Sequence, residues 1–184
     1  LALPLLLLRL WWRGRKAPDY RRRIAERMAC GLPPMRRGGI WLHTVSVGEA
    51  IAAAPLVRQL QQKWPDLPIT LTCMTPTGSE RIRAMFGDQV QHCYMPYDLP
   101  GMAARFLRHI RPQLAIMMEA ELWPNHIHQC NRMGIAVMLA NGRLSGRSAR
   151  GYGRFPRLVA PMLAQLDALA VQSVVGAERF LELG

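Results

Sequence analysis

Residues 39–64 read GIWLHTVSVGEAIAAAPLVRQLQQKW and combine a buried strand, a turn and a helix. The apolar, β-branched run of residues 39–46 predicts a strand, and residues 49–64 carry apolar side chains at helical spacing. Strands that alternate with helices of this length form βαβ units around a parallel sheet. Crossover connections in such sheets are right-handed. We therefore predict an α/β fold with a Rossmann-like parallel sheet and helices on both faces.

The same alternation continues along the chain. We predict further strands at residues 68–75, 90–98, 113–121, 135–144 and 168–173, and further helices at residues 78–86, 101–110 and 124–133, with a long stretch through residue 166 before the last strand. In open parallel sheets, ligands bind beyond the carboxyl ends of the strands. Five polar loops follow those ends, and we expect them to converge on one crevice: residues 46–49, 75–80, 96–98, 119–121 and 141–143.

Glu49 follows the first strand, just past Gly48, and opens the next helix. A carboxylate in a first helical turn gains about 0.3–1 kcal/mol from the helix dipole, which is the purely structural interpretation. The same position suits a catalytic base at the crevice. Gly48 and Ser46 are predicted to contact the substrate, because a glycine lets a ligand approach the backbone closely.

Glu119 and Glu121 end the very apolar run LAIMM. Carboxylates at the end of a buried parallel strand are costly unless they have a task or a partner. In an extended chain, residues i and i+2 lie on one side of the strand, so both acids are predicted to face the crevice. A buried ion pair with a crevice arginine is the structural alternative.

The TPTGSE segment offers hydroxyls and backbone N–H groups at a helix N-terminus, which is a plausible phosphate cradle. Thr75, Thr77 and Gly78 are its predicted binding residues, and Asn141, Arg143 and Arg147 are predicted to bind substrate from the fifth loop. The chain has neither a Walker P-loop nor a G-x-G-x-x-G motif after the first strand, which argues against NAD or FAD. The four scattered cysteines and the His-x-His at 126 and 128 indicate no metal site.

The net charge of +12 implies a polyanionic partner or a solvated basic face. The first residues, LALPLLLLRLWWRGRK, place two tryptophans and then basic residues after an apolar run, which suits the cytoplasmic side of a membrane. Twelve residues reach only about 18 Å as a helix, short of a bilayer core of about 30 Å. We predict a membrane-proximal segment over residues 1–23 and a Rossmann-like domain over residues 24–184. Because the chain begins without methionine, we expect it to be part of a longer protein.

Several long motifs taken together closely resemble the 3-deoxy-D-manno-octulosonic acid (Kdo) transferases of Gram-negative bacteria. They run in the family's order over nearly the whole chain and match only the N-terminal half of those enzymes: RLWWRGRKAPDYRRRIAER, WLHTVSVGEAIAAAPLVRQL, DLPITLTCMTPTGSERIRAMFG, HCYMPYDLP, MMEAELWPN and LANGRLSGRSARGY. The resemblance implies a GT-B glycosyltransferase, with two Rossmann-like domains facing each other across a cleft. The N-terminal domain takes the acceptor, and the C-terminal donor domain is absent from this chain.

The resemblance also implies an activity. The family transfers Kdo from CMP-Kdo to the lipid A precursor, lipid IVA, with inversion and without a metal or other cofactor, on the cytoplasmic face of the inner membrane. Glu49 matches the proposed general base, and Glu119 or Glu121 matches the position associated with transition-state stabilisation. Where the family usually has threonine between these two acids, this chain has Ala120. We expect the isolated N-terminal half to be inactive.

Two other functions fit parts of the sequence. Another GT-B glycosyltransferase of a lipid pathway would share the fold and the membrane contact, but the SVGE and EAELWP motifs speak against it. A basic nucleic-acid-binding module would explain the charge, but the sequence contains no recognised DNA or RNA module. We expect no nucleic-acid partner. The expected partners are the lipid A precursor, CMP-Kdo through the second domain, and the membrane surface.

Overall fold

The computed structural model describes residues 12, 15, 18–120 and 122–184. It consists of one six-stranded sheet and the helices around it. The helices are α1 (Ile24–Arg27), α2 (Val47–Lys63), α3 (Pro76–Phe86), α4 (Pro100–Ile110), α5 (Pro124–Arg132), α6 (Gly146–Tyr152), α7 (Pro156–Leu163) and α8 (Val174–Leu183). The strands are β1 (Ile40–His43), β2 (Ile69–Cys73), β3 (Gln91–Tyr94), β4 (Leu114–Met118), β5 (Ala136–Gly142) and β6 (Ala168–Val171).

All neighbouring strands are parallel, in the order β3-β2-β1-β4-β5-β6. The chain therefore winds outward in one direction from β1 to β3, returns to the centre, and winds outward in the other direction from β4 to β6. This is the doubly wound Rossmann order, and it confirms the predicted fold class. The strand order reverses between β1 and β4, where their carboxyl ends open a crevice.

Alternation along the central strands builds a core on each face of the sheet. On β1, Trp41 belongs to one core with Phe106 of α4, and the two rings pack edge to face with centroids 5.1 Å apart. Leu42 points to the other core, where it packs with helices α2 and α3. The near-continuous burial of β1, β2 and β4 is that expected of strands covered on both faces.

Most predicted elements are confirmed, with shorter strands than the sequence pattern indicates. Two differences affect the site. The first large helix begins at Val47, so Gly48 lies inside its first turn and not in a turn before the helix. The long stretch after β5 is divided into two helices, α6 and α7, which are separated at Gly153–Phe155.

Among the described residues, no helix is both long enough and apolar enough to cross a bilayer. Of the predicted membrane-proximal segment, residues 1–11, 13–14 and 16–17 lie outside the described residues.

Candidate active site

Two of the predicted acids follow the two strands between which the strand order reverses. Glu49 lies in the first turn of α2, after β1, and Glu119 directly follows β4. Because β1 and β4 are neighbours in the sheet, their following loops share one edge. In doubly wound folds this switch point is where ligands bind.

The Glu49 carboxylate is held against the start of its own helix. Ser46 is the N-cap, and its hydroxyl oxygen accepts a hydrogen bond from the Glu49 N–H. In return, the Ser46 hydroxyl donates to Glu49 Oε1 over 2.9 Å, and the Val45 N–H donates to Oε2 over 2.6 Å. This arrangement is a variant of the capping box, formed by a serine and a glutamate three residues later, in which the glutamate accepts the N–H of the residue before the N-cap. The structural role considered for Glu49 is therefore present in the fold.

The capping contacts leave Glu49 able to accept a proton. A carboxylate has about four lone-pair sites, and the two oxygens use one each. Glu49 is 7% exposed, and burial raises its pKa above the usual value, while the hydrogen bonds from Val45 and Ser46 oppose the shift. The negative charge of Glu119 raises the pKa further, so the two carboxylates interact electrostatically.

Glu119 has a different environment from the one predicted. β4 ends at Met118, and Glu119 adopts a left-handed backbone conformation with φ of 60°. The chain turns at residues 119–120, so the extended backbone from which the alignment of Glu119 with Glu121 was predicted is absent there. Glu121 itself lies outside the described residues. Within residues 18–120 and 122–184, no arginine or lysine forms an ion pair with Glu119.

The loop after β2 adjoins the Glu49 turn. Thr75 caps α3 by accepting the Gly78 N–H, and its hydroxyl donates to the Val45 carbonyl over 3.4 Å. A Cβ atom on Gly78 would lie 2.8 Å from Thr75 Oγ1, so this buried glycine has a packing explanation. Thr77 is exposed, and a Cβ atom on Gly48 would meet only Ser46 Oγ, at 3.9 Å. Thr77 and Gly48 are therefore accessible to a ligand.

The predicted residues of the fifth loop divide into bonded and open ones. Asn141 has a left-handed backbone with φ of 57°, and its Oδ1 accepts a hydrogen bond from Gln172. Arg143, just past β5, and Arg147 on α6 are exposed, and neither forms an ion pair with a described carboxylate. Both guanidinium groups are therefore free to meet an anionic ligand.

Asp98 ties the loop after β3 to the start of α5, a contact the sequence analysis missed. Its carboxylate accepts the N–H groups of Asn125 and His126 and the Nδ1–H of His126. Burial alone would raise the pKa of Asp98, but these hydrogen bonds lower it below its usual value. His126 is buried and His128 is exposed, so the two rings lie on different faces of α5. Among the described residues, no group of three or more His, Cys, Asp or Glu is placed to hold a metal ion.

A second cluster that the sequence analysis missed fastens α1 to the sheet. The Arg23 guanidinium makes a two-pronged ion pair with Glu26, at 2.5 and 2.7 Å, and donates to Ser79 Oγ. Glu26 also accepts the N–H of Tyr94 at the end of β3. Arg27 is 1% exposed, lies over the Tyr94 ring and donates to the Met74 carbonyl. The sequence analysis placed Arg23 only at the end of the basic segment and gave Arg27 no role, because Ser79, Met74 and Tyr94 are distant in sequence.

Comparison with known proteins identifies the family. Residues 22–184 match the family model described as 3-deoxy-D-manno-octulosonic-acid transferase (kdotransferase). The chain belongs to the Kdo transferase family. This assignment favours a Kdo transferase over the two other functions considered from the sequence.

Relatives named as Kdo transferases match almost the whole chain. It is 47% identical to the 3-deoxy-D-manno-octulosonic acid transferase of Haemophilus influenzae, over 98% of this chain and 43% of the relative. Identity to that of Bordetella pertussis is 33%, over 98% of the chain and 44% of the relative. A probable mitochondrial Kdo transferase of Arabidopsis thaliana is 35% identical over 96% of the chain and 40% of the relative. The chain thus spans less than half the length of these relatives.

Proposed function

We propose that this chain is the acceptor-binding half of a Kdo transferase, which moves Kdo from CMP-Kdo to lipid IVA, an acylated and phosphorylated disaccharide. The observation that carries the proposal is the position of Glu49 and Glu119 after the neighbouring strands β1 and β4, at the switch point of a domain of this family. The donor is assigned to a second domain, because the chain has no glycine-rich nucleotide-binding motif after β1.

In this proposal Glu49 is the general base. Its carboxylate takes the proton of an acceptor hydroxyl while the hydroxyl oxygen attacks the anomeric carbon of Kdo. The bond from that carbon to the CMP phosphate oxygen breaks in the same displacement, so the configuration inverts. A general base works best when its pKa is close to the working pH, and burial moves Glu49 in that direction.

Glu119 is proposed to stabilise the positive charge that develops in the transition state. The anomeric carbon gains positive character as CMP leaves, and a nearby carboxylate stabilises such charge. Glu119 is only partly buried and forms no ion pair with a described cation, so its negative charge is available. Its repulsion of Glu49 also helps to keep a proton on the base after transfer.

The activity is tested with the full-length protein, CMP-Kdo and lipid IVA. The expected products are Kdo-modified lipid, seen by mass spectrometry, and CMP in equal amount. Chelation of divalent ions with EDTA is expected to leave the rate unchanged, since no metal takes part in the proposed step. Release of CMP without modified lipid would contradict the proposed acceptor.

We further propose that the protein works on the cytoplasmic face of the inner membrane. The apolar and basic residues at the start of the chain supply hydrophobic and electrostatic attachment together. Removal of residues 1–17 spares Arg23, which the fold needs, and is expected to release part of the protein from membranes at high salt. Sedimentation measures this release. An equally tight association of the shortened protein would place the anchor elsewhere.

A further inference from the structure

An apolar groove lies between helices α6 and α7 on the crevice side of the domain. Its volume is about 400 Å³, within the range of about 300–1,000 Å³ found for small-ligand sites. The side chains that line it are almost all apolar, and they include Leu122, Pro124, Tyr152, Phe155, Leu158 and Met162. We call this recess the α6–α7 groove.

Two of its side chains are unusually open for their size. Phe155 is 63% exposed and Leu158 is 59% exposed. Single exposed apolar residues are ordinary, but two that border one apolar recess form a surface that gains free energy when it is covered. The deeper Met162 is 5% exposed and belongs to the core, so the groove has a rigid floor.

The groove reaches the β4–α5 loop, which starts with Glu119. Leu122 lies in that loop, and Pro124 is the first residue of α5. Across the groove, the Tyr152 hydroxyl donates to the Ala120 carbonyl, over 3.4 Å, and joins α6 to that loop. A ligand whose polar part lies at Glu119 can therefore extend an apolar part directly into the groove.

The charge around the groove selects the kind of ligand. Residues 143–166 contain five arginines and no acidic residue: Arg143, Arg147, Arg150, Arg154 and Arg157. All five are exposed, and none forms an ion pair with a described carboxylate. Arg154 and Arg157 line one surface recess together with Phe155 and Leu158, so cationic and apolar side chains lie side by side at the groove. This combination is complementary to an amphiphile that has an acyl chain and an anionic head group.

We propose that the α6–α7 groove binds one acyl chain of the anionic lipid acceptor. The proposal rests on the function proposed above, since it assigns part of that acceptor to a place on this chain. The groove sets the depth to which the acyl chain enters, and the arginines hold the phosphorylated head group at Glu49 and Glu119. A recess lined by Leu122, Tyr152 and Met162 fits a single acyl chain better than it fits a flat bilayer surface.

The test uses the full-length protein and two acceptors, lipid IVA and the same head group with its acyl chains removed. We expect the wild-type kcat/KM to be at least about tenfold higher for the acylated acceptor, because each buried methylene is worth about fourfold in binding. Phe155→Ser and Leu158→Ser are expected to lower this preference about fivefold to tenfold. Phe155→Leu retains an apolar side chain and is expected to keep most of it.

Trp64→Ser provides a matched control. Trp64 is a large apolar residue that is 44% exposed, but it follows α2 at the opposite edge of the sheet. Its replacement is expected to leave the acyl preference unchanged. The proposal would be overturned if Phe155→Ser and Leu158→Ser kept the wild-type preference for the acylated acceptor while they also kept the wild-type melting temperature. The proposal would also be overturned if these variants lost kcat/KM equally for both acceptors and only in the presence of vesicles. That result would assign the surface to bilayer docking.

A binding measurement separates the groove from the activity. A dansyl-labelled fatty acid is expected to bind the wild-type protein, to be displaced by lipid IVA, and to bind Phe155→Ser at least about fivefold more weakly. If the probe binds in this way but no Kdo is transferred, the proposed function fails and the groove assignment stands. If Kdo is transferred but the probe does not bind, the groove assignment fails alone.

Discussion

The arginines near α1 and the arginines of α6 and α7 carry the same charge in opposite surroundings. Arg23 bonds to Glu26 and Ser79, and the fully buried Arg27 bonds to the Met74 carbonyl. Both guanidinium groups also lie over the Tyr94 ring. Arg147, like the other arginines up to residue 157, is exposed and forms no ion pair with a described carboxylate. The first group stabilises the fold, and the second is free to bind an anion. Net charge alone does not distinguish the two groups.

The largest effect that this comparison predicts is on stability. Arg23→Met leaves the buried Glu26 carboxylate without its ion-pair partner, and we expect a loss of about 3 kcal/mol. The melting temperature is then expected to fall by about 6–12 °C. A second substitution, Glu26→Met, removes the orphaned charge and is expected to recover part of the loss in a double-mutant cycle. A melting temperature unchanged by Arg23→Met would show that the α1 cluster does not hold the domain.

The α1 cluster also predicts an acid-sensitive stability. His92 Nε2 bonds to Ser79 Oγ, which accepts from Arg23. Burial lowers the pKa of His92 to about 4, and the Arg23 charge adds to the shift. The unfolded chain therefore binds more protons than the folded chain between pH 6.5 and about 4, so stability falls as the pH falls through this window, by up to about 3 kcal/mol. Thermal melts of His92→Gln between pH 7.5 and 4 are expected to show a shallower decline than wild type.

The exposed arginines predict the opposite pattern, with an effect on binding and little on stability. Arg147→Ala is expected to raise the KM for the lipid acceptor about fivefold, which corresponds to about 1 kcal/mol, and to change kcat less. Its melting temperature is expected to remain within about 1 °C of wild type, because surface substitutions cost little. A variant with a normal KM would place Arg147 on a solvated face.

The smallest effect is expected at Arg22, which lies next to the buried cluster in sequence. Its ion pair with Asp19 is 3.0 Å long, but the two side chains are 78% and 45% exposed. Exposed pairs contribute about 0–1 kcal/mol. Arg22→Ala therefore serves as the control for Arg23→Met. A large destabilisation by Arg22→Ala would show that an arginine stabilises the fold because of its position in the segment and not because of its burial.

The fold was predictable because its signals are local. Each strand is a short apolar run and each helix has its own periodicity, so the sequence predicts the βαβ order without tertiary information. The Ser46-x-x-Glu49 spacing is itself a capping-box signature, and it was available to explain how Glu49 is held. The crevice position of Glu49 and Glu119 follows from the parallel sheet alone.

The features that the sequence did not predict depend on contacts between distant residues or on an unusual backbone conformation. Glu26 bonds to Tyr94, which lies 68 residues away, and no local pattern indicates that pairing. Glu119 adopts a left-handed backbone conformation that non-glycine residues rarely adopt, so the extended geometry was the natural expectation. Asp98 caps α5 across a gap of 28 residues, and only the folded sheet brings the two together.

The most direct test of the account is the rate of Kdo transfer by Glu49→Gln in the full-length protein. The amide keeps the shape of the side chain but cannot accept the acceptor's proton, so kcat is expected to fall about 10²–10⁴-fold. The lost capping contact is expected to cost only about 1 kcal/mol of stability. Glu178→Gln, at an exposed position on α8, is the matched control and is expected to retain wild-type turnover. A folded Glu49→Gln protein with near-normal turnover would show that Glu49 only caps its helix, and would contradict the proposed mechanism.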